Sequence, residues 1–172
     1  MELRAFFERA IRAGFHDLAL GNDPVSPYLA DLLARFARTE NLYPRGTTLP
    51  RLETVVDMLL EAGTAWDGSY WEPEHEVTVS QHIGDFTLFM TGIFRERVER
   101  TASTGYYISQ GKRAYHFVWE HDRASSRAAA DAAPLYRRLA DGFERYAGAL
   151  DYTRRVYFIV HPAHPFFQLR FG

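Results

Sequence analysis

Apolar residues recur at helical spacing along most of the chain. Leu3, Phe6, Phe7, Ala10, Ile11, Gly14, Phe15 and Leu18 form one stripe, which predicts a helix over Leu3 to Leu20. Gly21-Asn22-Asp23-Pro24 stops it. Ser26 and Pro27 read as the N-cap and first residue of a second helix, ending near Glu40-Asn41, with Tyr28, Leu29, Leu32, Leu33 and Phe36 facing inward. After a loop from Tyr43 to Thr48, a third helix is expected over Thr48 to Ala65, facing inward through Leu52, Val55, Val56, Leu59 and Leu60. Asp67-Gly68-Ser69 makes a turn. A long helical stretch follows from Glu72 to Glu99, with Pro73 in its first turn. Thr104 to Asp122 predicts a fifth helix. Ala128 to Leu150 predicts a sixth, broken or started near Pro134, with Leu135, Leu139, Phe143, Tyr146 and Leu150 as its apolar face.

The helical period fails at the end of the chain. Val156 to Val160 and Phe166 to Leu169 are β-branched and aromatic, and Pro162 and Pro165 interrupt them. That segment reads as an extended tail with room for a short strand. The expected fold is all-α: a compact bundle of about six helices over 1–155. The apolar tail, 156–172, would dock on the bundle or on a partner chain. No repeat or linker divides the bundle.

Composition narrows the function classes. The 172 residues contain no cysteine, which excludes disulfides, thiolate metal sites and a cysteine nucleophile. A formal net charge of −2 supplies no field for nucleic acid, and the basic residues, nearly all Arg, are scattered among acids. The charged N-terminal stretch lacks the apolar core of a signal peptide, and no apolar run suits a membrane span. A cytoplasmic setting is the expectation. Aromatic content of 15% suits a core or an interface.

Two motifs resemble an uncharacterised family of bacterial proteins. One is His82-Ile83-Gly84-Asp85-Phe86-Thr87-Leu88-Phe89-Met90-Thr91-Gly92-Ile93-Phe94, similar to that family's Gly-Asp-x-x-Leu-Phe-x-x-Gly-Phe-Phe helix. The other is Tyr106-Tyr107-Ile108 with Gly111 and Ala114-Tyr115. Tyr28 to Leu33 and Phe36 share the likeness, while Ile93 stands where a Phe is usual. The resemblance implies an all-helical bacterial protein. It carries no activity and so no catalytic residue.

The residues that could carry chemistry are those out of place in an apolar core. His82 and Asp85 share a helix face with Phe86 and Phe89. A carboxylate there must be hydrogen-bonded or paired, with Tyr106, Tyr107, Tyr115 or an Arg from another helix as expected partners. Such a cluster is either a polar knot fixing helix register or a ligand or acid–base site. Gly84 and Gly92 each cost a helix about 1 kcal/mol relative to Ala, so close packing or a nearby ligand must offset them. Glu72-Pro73-Glu74-His75 matches the Glu-x-x-His pattern of di-iron bundles. His116 and Glu120 form a further i, i+4 pair. Only one Glu-x-x-His copy is present, and Pro73 lies inside it, so Glu72, His75, His116 and Glu120 are weak metal candidates. His161 and His164 lack a third ligand beside them. No phosphate-binding loop, nucleophile elbow or zinc-protease motif occurs, and no cofactor is expected. The expectation leans to a non-enzymatic helical protein acting by protein–protein or self-association, with a slight preference for a homodimer. The alternative is a small-ligand or metal-dependent enzyme built on His82, Asp85, Tyr106, Tyr107, Tyr115 and His116.

Overall fold

A computed structural model describes residues 3–37, 73–101 and 103–158. The third expected helix, Glu72, the two C-terminal histidines and the tail beyond 158 lie outside the described residues, as does the side chain of His75. The described chain forms seven helices, and no strand occurs among those residues. They are α1 (Leu3–Asp17), α2 (Val25–Phe36), α3 (Pro73–Ile93), α4 (Arg95–Thr101), α5 (Thr104–Asp122), α6 (Arg127–Asp141) and α7 (Phe143–Tyr157). None is long and apolar enough to cross a membrane.

Helix α1 ends three residues before the expected Leu20. Ala19 takes a left-handed conformation with φ 57°. The Leu20 N–H then donates to the Phe15 carbonyl at 2.8 Å, and the Ala19 N–H to that of His16 at 3.1 Å. This is a Schellman closure with an alanine where glycine is favoured. Helix α2 starts at Val25, one residue before the expected cap. The Asp23 carboxylate accepts the Val25 N–H at 2.9 Å, so Asp23 organises the turn and Ser26 lies within the first helical turn.

The single helix expected from Glu72 to Glu99 is interrupted at Phe94, between α3 and α4. The break expected at Pro134 falls instead at Gly142. Pro134 sits inside α6 on its exposed side. A proline there costs a helix about 3 kcal/mol, which the burial of Ala133, Tyr136, Leu139 and Ala140 offsets. At Gly142 an added Cβ would lie 2.8 Å from the Tyr146 ring and 3.2 Å from the Arg138 carbonyl, so only glycine fits this tight joint. Helix α7 runs two residues into the stretch expected to be extended. Phe158 is 2% exposed and rests against Phe7, ring centroids 5.4 Å apart.

Helix α3 is the centre of the bundle. It packs against α5 and α7 and touches α2 and α4. Helix α1 packs on α2 and α7, and α6 packs on α5. Residues 83–93 of α3 are all buried, as befits a helix apolar on every side. Its two buried threonines in this stretch are satisfied locally: the Thr87 hydroxyl donates to the Ile83 carbonyl and the Thr91 hydroxyl to that of Thr87, both at 2.7 Å. Its glycines admit neighbouring helices. A Cβ on Gly84 would lie 2.6 Å from the Tyr115 ring of α5, and one on Gly92 2.6 Å from Leu150 of α7. Close packing therefore accounts for both.

Candidate functional site: a buried carboxylate

Asp85 is 1% exposed. Its Oδ1 accepts hydroxyl hydrogen bonds from Tyr28 of α2 at 2.6 Å and Tyr115 of α5 at 2.7 Å. Its Oδ2 accepts from the Arg35 guanidinium of α2 at 3.1 Å. Three helices thus meet on one carboxylate. Gly84 makes this possible, because the absent side chain lets the Tyr115 ring lie across α3 and reach the next residue. Tyr28 and Arg35 are seven residues apart, two turns along one face of α2. Tyr136 of α6 packs edge-on against Tyr28, centroids 5.9 Å apart, and against Tyr115 at 6.1 Å.

Burial is the largest influence on this carboxyl and raises its pKa above 3.8, while Arg35 and the two hydroxyls pull it down. Burial and the neighbouring Asp85 charge raise the Tyr28 and Tyr115 phenols well above their ordinary value, so both remain hydrogen-bond donors. For Arg35, burial lowers and the Asp85 charge raises the pKa, with a net rise. Arg35 is partly exposed, also pairs with Asp31 at 3.6 Å, and lies over the Phe36 ring, 5.8 Å from its centroid. It carries the cluster from the core to the surface.

The other sequence candidates scatter. His82 is half-buried one turn before Asp85, its ring 6.0 Å from that of Phe36 and 6.5 Å from that of Phe86. Burial lowers its pKa; the Asp85 charge opposes that, and Arg35 adds to it. Tyr106 and Tyr107 do not reach Asp85: Tyr107 is buried in the core and Tyr106 packs at its edge. They lie two turns before Tyr115, about 12 Å along the axis. His116 follows Tyr115 directly, so it is rotated by roughly 100° and is exposed, edge-on to Trp119. His116 and Glu120 border an open hollow of about 470 Å³ with Lys112 and Phe117, and Glu120 is bonded to Arg123 at 2.8 Å. Among the described residues no group of three or more His, Asp or Glu is gathered as metal ligands would be. Of the expected partners, Tyr115 and an Arg from another helix are present, the latter being Arg35; Tyr28 is a partner the sequence reading does not include.

No protein-family model, curated protein or solved structure matches this chain. The likeness noted in α3 and α5 rests on those residues alone. What the geometry offers chemically is a carboxylate whose two oxygens are occupied by donors from its own fold.

Proposed function

We propose that the chain is a non-enzymatic helical protein that acts by association, with a second copy of itself as the first partner. The observation that carries this reading is Phe158. It caps α7, buried against Phe7 of α1 with Phe6 at 6.1 Å, so the last described residue sits on an aromatic seam. Six more large apolar residues follow: Ile159, Val160, Phe166, Phe167, Leu169 and Phe171, with Arg170 the only Lys, Arg, Asp or Glu among residues 159–172. Each is worth about 1.5–3 kcal/mol when fully buried, which favours covering them with protein. The occupied state of Asp85 supports the same reading, because an internal lock needs no substrate. A bacterial, cytoplasmic setting belongs to this proposal, on the absence of cysteine and the resemblance of the helical motifs. The test is deletion of residues 159–172 with solution mass by light scattering. A dimer that becomes a folded monomer supports association; a full-length monomer at micromolar concentration contradicts it.

A second reading has its own observation. Burial raises the pKa of Asp85 and lowers that of His82, which lies one helical turn away and half-buried, and perturbed titratable groups cluster at functional sites. Elemental analysis of the purified chain tests its metal-dependent form. A stoichiometric transition metal would favour it over association.

A further inference from the structure

We draw no further inference here: the strongest candidate, the open hollow between α5 and α6 lined by Phe117 and Ala140, carries nothing, because Lys112, Glu120 and Asp141 around it are paired within the chain to Glu144, Arg123 and Arg137, and nothing in the structure shows what covers it.

Discussion

Asp85 and Asp17 are each held by two tyrosine hydroxyls, yet the protein treats them oppositely. Asp85 takes Tyr28 and Tyr115 in the core, where burial raises its pKa despite Arg35. Asp17 takes Tyr152 at 3.0 Å and Tyr157 at 2.5 Å on the surface, where those two hydroxyls lower it. The Tyr157 phenol is pushed up to about 12, first by its bond to Asp17. Similar hydroxyl donors therefore give shifts of opposite sign, and access to water decides which. In water the donors merely add to a hydrated carboxylate. In the core they replace water that burial has removed, and they replace it incompletely.

Removing each carboxylate should make the contrast largest. Asp85→Ala leaves Arg35, Tyr28 and Tyr115 without their shared acceptor, and a loss of about 3 kcal/mol is expected in denaturant unfolding. Asp17→Ala should shift the unfolding midpoint only slightly, because water takes over its donors. Equal losses would mean that burial is not the deciding variable.

The approach of Tyr115 to Asp85 depends on Gly84. Gly84→Ala gains helix propensity but drives a methyl into the Tyr115 ring, for an expected net loss of about 2 kcal/mol. A neutral result would show that Tyr115 yields easily and that the cluster is loosely held.

The pH dependence should run in opposite directions. Asp17 has a lowered folded pKa, so its contribution is present above 3.8 and fades as pH falls through the folded value. Asp85 has a raised one, so its contribution is full below 3.8 and shrinks as pH rises through the folded value. Native-minus-Asn stability differences, measured from pH 3 to pH 8 for each site, should slope with opposite signs. His82 adds a term near neutrality. Its folded pKa lies below 6.5, so stability should drop as pH falls through 6.5, and His82→Phe should flatten that drop.

Part of this was legible in the sequence. The periodicity of α1 and α2 and the limits of α5 are plain because one face of each helix is buried and one is wet. Asp85 stood out because a carboxylate among Ile83, Phe86 and Phe89 has to be buried. Tyr115 was legible as a partner and an Arg was expected without a number, but Tyr28 and the identity of Arg35 were hidden: they lie 57 and 50 residues away, and only packing of α2 on α3 brings them in. Their i, i+7 spacing beside Leu32 and Leu33 was the available signal. Tyr106 and Tyr107 were drawn in by adjacency within a motif, which ignores the rise of a helix. Pro134 was mistaken for the break because exposure, which lets a helix carry a proline, is a tertiary property. A further small effect concerns Ala19, also unremarkable in sequence. Ala19→Gly should stabilise by about 0.5–1 kcal/mol, since glycine adopts its left-handed conformation without strain; a loss would mean the closure of α1 is not strained.

The most direct test is to titrate the side-chain carboxyl carbons of Asp85 and Asp17 in the folded protein by ¹³C NMR. Burial as the deciding variable requires Asp85 to titrate above 3.8 and Asp17 below it. If both titrate below 3.8, Arg35 and the two tyrosines outweigh burial, and the contrast between core and surface fails.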